Sequence, residues 1–186
     1  MKPSPSFKKS CRTWAVGTAI VLAGSFAAQA QTAPGGAPGQ GVSLQAGFNS
    51  DYKRLTLAYE TPALWSHRFD GGSRLDLSVE LAASYWNAKR GAPDTMWQAA
   101  ATPMLRWWPR DAFYLELGVG PSMLSRSEFG GRELSTRFQF TSHFGTGIVI
   151  NKAHRLGLRY THVSNASIKK PNPGLDLVEV AYTYQF

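Results

Sequence analysis

Three polar residues near the C-terminus have the chemical types that nucleophilic catalysis uses. Ser164 carries a hydroxyl, His162 an imidazole and Asp176 a carboxylate. A serine becomes a nucleophile when a histidine takes its proton, and a carboxylate can orient that histidine and stabilise its cation. The chemistry that such a set would support is the cleavage of an acyl group, through an acyl-enzyme.

The spacing of these residues predicts that they meet on one surface. His162 and Ser164 are two residues apart in a segment where apolar and polar residues alternate, so on a strand both point to one side, about 6.8 Å apart along it. Asp176 has the parity of the apolar row in the last segment, and the polar turn at 170–174 would bring it beside His162. All three would lie among lipid-facing residues. The alternative is that His162 and Ser164 only mark a water interface.

The same alternation recurs along the chain and predicts the elements that would position these residues. In residues 74–85 the leucines and Val79 occupy one face, and charged residues such as Glu80 the other. Similar segments follow one another at 42–48, 54–60, 97–107, 113–120, 138–150, 155–164 and 175–186.

A soluble sandwich could show this alternation, but many segments have the length of a tilted membrane strand and the chain ends on an aromatic residue, Phe186. We therefore predict an all-β fold, an eight-stranded antiparallel transmembrane β-barrel. Charged residues such as Glu80 and Arg159 would point inward and pair. Aromatic residues would form interfacial girdles: Trp65, Trp86, Trp97, Trp107, Trp108, Tyr182 and Tyr184.

The N-terminus has the features of a secretory signal. A basic start precedes an apolar stretch too short to span a membrane, and Ala28-Gln29-Ala30 fits a cleavage site. We predict a removed signal peptide at 1–30, a flexible lead-in at 31–41 and the barrel at 42–186. With both ends in the periplasm, the connections near 87–94, 125–134 and 165–174 would be external.

Composition narrows the function classes. The signal contains four of the 20 basic residues and none of the 12 acidic ones, so the mature charge falls from +8 to +4 and gives little support to nucleic-acid binding. The single cysteine, Cys11, leaves with the signal, which rules out disulfides. No histidine pair has metal-ligand spacing and no phosphate-cradling glycine loop is present, so we expect no metal and no cofactor.

The segment around the candidate nucleophile resembles a known family. Residues 160–166, Tyr-Thr-His-Val-Ser-Asn-Ala, are followed by Pro-Asn-Pro-Gly and an acidic-led strand that ends in an aromatic residue. This arrangement resembles the PagL family of outer-membrane lipid A 3-O-deacylases. The resemblance implies a serine esterase with His162 as base, Ser164 as nucleophile and Asp176 as orienter, where the family typically has glutamate. Asn165 resembles the family's oxyanion-stabilising asparagine.

The sequence thus predicts an outer-membrane enzyme that hydrolyses the 3-position ester of lipid A and releases a 3-hydroxy fatty acid, with its site facing the outer leaflet. Its partners would be lipopolysaccharide and membrane lipid, with Lys169 and Lys170 near the substrate phosphates. Solvated loop charge is the other interpretation of these lysines. Whether the barrel forms a homodimer is a question that the sequence leaves open. The alternative functions are a non-enzymatic barrel for adhesion or envelope integrity, and a phospholipase or acyltransferase barrel.

Overall fold

The structure, a computed structural model, describes residues 39–186 and is built from β-strands. The predicted signal peptide, residues 1–30, and residues 31–38 of the predicted lead-in lie outside the described residues. Within residues 39–186 no helix has the length and apolar character needed to cross a membrane. The strands are β1 (Gly41–Phe48), β2 (Tyr52–Glu60), β3 (Trp65–Arg68), β4 (Arg74–Ala88), β5 (Thr95–Arg110), β6 (Phe113–Leu124), β7 (Glu128–Phe129), β8 (Arg132–Glu133), β9 (Phe138–Asn151), β10 (His154–Ser164) and β11 (Leu175–Gln185).

The main sheet closes on itself as an antiparallel barrel. Each long strand pairs with its neighbour in the chain, and β1 pairs with β11 to close the circle. β2 and β3 pair in succession with different parts of β4, so together they make one barrel strand that is interrupted at 61–64. The barrel therefore has eight strands, which confirms the predicted fold.

The inward face carries the charged residues and the outward face the apolar ones, as the alternation predicts. Along β4, Arg74, Asp76, Ser78 and Glu80 are buried, whereas Leu81 and Tyr85 are exposed. The outward row is suited to contact lipid because it carries almost no charge. Every residue of a strand is thus assigned to lipid or lumen by its parity alone.

The lumen is filled with paired charges. Arg106 contacts Glu60 at 2.6 Å and Glu116 at 2.8 Å, and Arg159 contacts Glu116 and, at 2.9 Å, Glu80. These groups are nearly inaccessible to solvent, so each charge depends on its partners for compensation. The barrel interior is packed with side chains, as expected for eight strands.

Two predicted girdle residues lie inside the barrel, which corrects the sequence interpretation. Trp86 is fully buried with the Arg54 guanidinium 5.0 Å from its ring centroid, and Trp108 is buried with Arg74 at 4.9 Å. Both occupy inward positions of their strands, and the rings are accommodated there by stacking on cations. The other predicted girdle aromatics are exposed: Trp65, Trp97, Trp107, Tyr182 and Tyr184.

The two ends of the barrel differ. The terminal end holds both described chain ends and the short connections 69–73, 111–112 and 152–153. The loop end holds the connections 49–51, 89–94, 125–137 and 165–174. The connection 125–137 folds into the small β7–β8 hairpin, which the sequence analysis did not predict. An apolar cluster that includes Trp86, Phe129 and Leu134 closes the lumen beneath these loops.

Candidate active site

His162 and Asp176 are direct cross-strand partners near the loop end of the barrel. The register of β10 and β11 pairs their backbones, so both side chains leave the sheet on the same outward side. His162 Nδ1 lies 2.7 Å from Asp176 Oδ1. Both side chains are partly exposed, 41% and 44% respectively. The arrangement fixes the imidazole with Nδ1 directed at the carboxylate, which leaves Nε2 as the nitrogen that can accept a proton.

Ser164 lies two residues beyond His162 on β10, on the same outward face. It ends the strand and pairs across it with Phe140 of β9. Its side chain is partly exposed, and within residues 39–186 its hydroxyl has no hydrogen-bond partner. The hydroxyl is therefore free. A hydrogen bond between a serine and a neighbouring histidine often forms or tightens only when a substrate is bound.

The backbone of Asp176 is held by the β1–β2 turn and by the first residue of β2. Asn49 Nδ2 donates to the Asp176 carbonyl oxygen at 2.9 Å, and the Asp176 N–H donates to the Tyr52 hydroxyl oxygen at 2.7 Å. The pairing of β1 with β11 starts only at Phe48 and Val178, so this stretch of β11 has no strand partner on that side. Asn49 and Tyr52 take the place of that partner. Sequence analysis missed both, because Asn49 lies 127 residues and Tyr52 124 residues from Asp176, which leaves no local signal.

Tyr160 is a further residue at the site to which the sequence analysis gave no separate role. It is on the outward face of β10 and its hydroxyl donates to Asp176 Oδ1 at 2.6 Å. The parity of Tyr160 in β10 matches that of His162 and could have placed it on the same face. Nothing in the sequence indicates that its hydroxyl reaches the next strand.

Gly174 permits the close approach of the 165–174 loop to the imidazole. Its φ of +65° lies in the left-handed region, and a Cβ at this position would come within 2.9 Å of His162 Cε1. A side chain would thus be strained by the backbone and would also press on the histidine ring. The glycine of the Pro-Asn-Pro-Gly turn therefore helps to define where His162 lies.

Asn165, the predicted oxyanion residue, is completely buried. Its Nδ2 donates to the Lys169 carbonyl at 2.8 Å and to the Leu134 carbonyl at 3.2 Å, and its N–H donates to Asn172 Oδ1 at 3.1 Å. These bonds tie the 165–174 loop to the connection 125–137. These two carbonyls engage the side-chain amide of Asn165, which is buried where Ser164 beside it is partly exposed.

The other predicted site residues, Lys169 and Lys170, are exposed in the loop that follows Ser164. His143 is buried in the lumen, where its Nδ1 lies 2.8 Å from Thr161 Oγ1. No group of metal-ligand residues occurs in the described part of the chain.

The site and the fold match a family of known proteins. The model of the family described as lipid A 3-O-deacylase (PagL) matches residues 51–185 of this chain. The chain belongs to the PagL family.

Individual relatives agree with this assignment. The lipid A deacylase PagL of Bordetella bronchiseptica is 50% identical over 161 residues, which cover 86% of this chain and 88% of the relative. The lipid A deacylase PagL of Pseudomonas aeruginosa is 25% identical over 129 residues, covering 59% of this chain and 75% of the relative.

Solved structures support the fold of this PagL family member. The crystal structure of the outer membrane enzyme PagL matches with a TM-score of 0.69 at 21% identity, covering 78% of this chain and 99% of the other. A designed transmembrane β-barrel matches with a TM-score of 0.50 at 10% identity, covering 80% and 97%. These likenesses show the fold, a closed antiparallel β-barrel, and the family match shows a lipid A deacylase.

Proposed function

We propose that this chain is a serine esterase of the outer membrane that hydrolyses the acyl ester at the 3 position of lipid A and releases a 3-hydroxy fatty acid. The observation that carries the proposal is the His162–Asp176 hydrogen bond on the outward face, two residues from a free serine hydroxyl. Family membership supports the choice of lipid A as the substrate.

The arrangement is suited to a two-step hydrolysis. Ser164 Oγ attacks the ester carbonyl carbon while His162 Nε2 takes its proton. The bond from that carbon to the sugar oxygen breaks, and His162 returns the proton to the departing sugar hydroxyl. Water then attacks the acyl-enzyme and gives its proton to His162, the bond to Ser164 Oγ breaks as His162 returns that proton to Oγ, and the fatty acid leaves. Asp176 stabilises the imidazolium in both steps.

The oxyanion of each tetrahedral intermediate needs donors from the protein. Asn165 lies next to the nucleophile and was the predicted source. Because its side-chain protons are bound to the Lys169 and Leu134 carbonyls, we propose that a backbone N–H of the 165–174 loop donates instead. The side chain of Asn165 then serves by holding that loop in place.

The outward position of the site fits a substrate that is itself a membrane lipid. We propose that the loop end faces the cell exterior, so that the triad lies at the depth of the outer leaflet and lipid A reaches it by lateral diffusion. Lys169 and Lys170, exposed in the loop that follows Ser164, could attract the sugar phosphates through their charge. The filled lumen offers no alternative route for a substrate through the barrel.

Mass spectrometry of lipid A from cells that express the wild type or Ser164→Ala tests the proposal. We expect loss of one 3-hydroxyacyl group with the wild type and intact lipid A with Ser164→Ala, while both barrels fold and insert. Ser142→Ala is the matched control, because Ser142 of β9 is the cross-strand partner of His162 on its other side. That variant should retain activity.

Three outcomes would contradict the proposal. Intact lipid A with a folded wild-type barrel, repeated on detergent-solubilised enzyme to remove any restraint from the membrane, would exclude the deacylase. Loss of activity in Ser142→Ala but not in Ser164→Ala would show that the nucleophile is Ser142 of β9 and not Ser164 of β10. Release of fatty acid from phospholipid alone would favour the phospholipase alternative.

A further inference from the structure

Two donors share one oxygen of the Asp176 carboxylate. His162 Nδ1 lies 2.7 Å from Oδ1, and the Tyr160 hydroxyl donates to the same atom at 2.6 Å. Within residues 39–186 these are the hydrogen bonds that the carboxylate accepts. The carboxylate is thus oriented from two sides, by the proposed base and by a phenol that has no part in the proton transfers.

The strand geometry explains why Tyr160 can reach Asp176. Tyr160 precedes His162 by two residues, on the same face of β10, and its cross-strand partner Val178 follows Asp176 by two residues on β11. Tyr160 and Asp176 are therefore diagonal neighbours, a separation of about 7–8 Å between backbones that a tyrosine side chain can span. Its length is what brings the hydroxyl to the carboxylate oxygen.

Asp176 needs such a partner because its surroundings hold it poorly. The side chain is 44% exposed, on a barrel face that meets lipid, and an aspartate can rotate to exchange its two oxygens. Asn49 and Tyr52 bind only its backbone. A hydrogen bond from a neutral donor to a carboxylate is stronger than one between neutral groups, and shorter.

We propose that Tyr160 is a positioning residue of the esterase, whose hydroxyl keeps Oδ1 of Asp176 directed at His162. This inference rests on the proposed function. Tyr160 acts through Asp176 and not on the substrate ester. Without the hydroxyl, the carboxylate leaves its productive orientation for part of the time, and the imidazole loses its fixed tautomer and direction for the same part.

The ring of Tyr160 has contacts of its own, apart from the hydrogen bond of the hydroxyl, and a substitution can separate the two. With Phe144, Leu158 and Val178 it lines an outward apolar groove of about 450 Å³, which extends from Tyr160 toward Phe113 at the terminal end. Tyr160→Phe keeps this ring and removes only the hydroxyl. A substitution of this kind should therefore lower kcat and leave KM for an acylated substrate unchanged.

The test measures fatty-acid release by the detergent-solubilised full-length mature protein for the wild type and Tyr160→Phe. We expect kcat to fall about 10-fold, the order of one hydrogen bond to a charged group, and KM to change less than about twofold. Tyr182→Phe is the matched control. Like Tyr160, Tyr182 is an outward tyrosine with a hydrogen-bonded hydroxyl, but its partner is His154, at 2.6 Å, near the terminal end. It should behave as the wild type.

A double-mutant cycle with Asp176→Ala separates positioning from a structural role. If Tyr160 acts through Asp176, Tyr160→Phe has no further effect once the carboxylate is gone. Equal effects in both backgrounds would overturn the proposal, and so would full kcat in Tyr160→Phe. Retained folding is checked from the different electrophoretic mobility of heated and unheated barrels.

A probe that does not depend on lipid A keeps this test apart from the proposed function. The rate at which an alkyl fluorophosphonate modifies Ser164, followed by mass spectrometry, reports only on the activated serine. We expect Tyr160→Phe to slow it about 10-fold and Tyr182→Phe to leave it unchanged. If the wild type is labelled faster than Tyr160→Phe but releases no fatty acid from lipid A, the substrate assignment fails and the positioning role stands. If labelling is equally fast in Tyr160→Phe, the positioning role fails.

Discussion

At the scale of single residues, the site depends on side chains whose neighbours leave them little freedom. Asp176 is bound at its backbone by Asn49 and Tyr52 and at its carboxylate by Tyr160 and His162. His162 has Asp176 on one side and Gly174 against its ring. Among these site residues, all within 39–186, Ser164 has a hydroxyl without a hydrogen-bond partner, which suits a group that must approach a substrate.

Replacing Gly174 by alanine should impair catalysis. The left-handed φ of +65° costs an alanine about 1–2 kcal/mol, and its Cβ would lie 2.9 Å from His162 Cε1, so the ring must move. We expect kcat/KM to fall at least about 10-fold, because displacement of a catalytic group by a few tenths of an ångström to 1 Å is costly. Steady-state kinetics on solubilised enzyme measure this.

Gly72→Ala is the control for backbone strain. Gly72 also has a positive φ, +83°, in the connection 69–73 at the terminal end, and a Cβ there would meet nothing within 4 Å. It should reproduce the loss of stability without the loss of kcat/KM. Equal activity losses in the two variants would show that strain, and not contact with His162, is responsible.

At the scale of elements, the site is assembled by one hairpin and by a turn that reaches it only because the barrel closes. β10 and β11 are a hairpin and bring His162 to Asp176. The β1–β2 turn comes from the other end of the chain and reaches Asp176 only because β1 pairs with β11. The first and last strands together therefore complete the support of the triad.

Removing the turn's contact should lower activity without abolishing it. Asn49→Ala deletes the 2.9 Å bond to the Asp176 carbonyl and the 2.7 Å bond that Asn49 Oδ1 accepts from the Asp51 N–H. Loss of such bonds is worth about 1 kcal/mol each, so we expect a kcat about 3- to 10-fold lower. Asn151→Ala removes the equivalent turn bond, 3.1 Å from the Ala153 N–H, at the terminal end. It should leave kcat unchanged, and a similar drop there would refute a specific role for Asn49.

At the scale of the whole molecule, stability depends on charges that the lumen cannot solvate. Glu116 lies between Arg106 and Arg159, and all three are almost completely buried. A buried pair contributes little over apolar residues, but removing one partner leaves the other charge uncompensated. The interior network thus makes the barrel sensitive to single substitutions far from the site.

Glu116→Ala should destabilise the barrel strongly. It leaves two buried guanidinium groups without one of their carboxylates, which costs about 3–5 kcal/mol. Urea unfolding of detergent- or vesicle-embedded protein measures the change in free energy. Asp111→Ala is the control, because Asp111 is 82% exposed and its contact with Arg74 is 3.7 Å, so that its loss should cost under about 1 kcal/mol. Similar costs for both would contradict the account of the lumen.

The alternation of side chains along each strand made their assignment to the lumen or to the outward face predictable. Because side chains alternate along a strand, the sequence assigned Glu80 and Arg159 to the lumen and His162, Ser164 and Asp176 to the outward face, and the structure has them there. The same rule should have assigned Trp86 and Trp108 inward, but residue type was given more weight than position. The roles of the triad residues stay predictions until the substitutions are made.

The sequence by itself determined the barrel, the faces of its strands and the hairpin register that joins His162 to Asp176, because these depend on periodicity and on neighbouring elements. The tertiary structure decided what depends on contacts between distant segments. The closure of β1 on β11 supplies Asn49 and Tyr52, and the packing of the 165–174 loop on the connection 125–137 engages the Asn165 side chain. The reach of the Tyr160 hydroxyl to Asp176 was likewise decided by side-chain geometry, which no periodic pattern encodes.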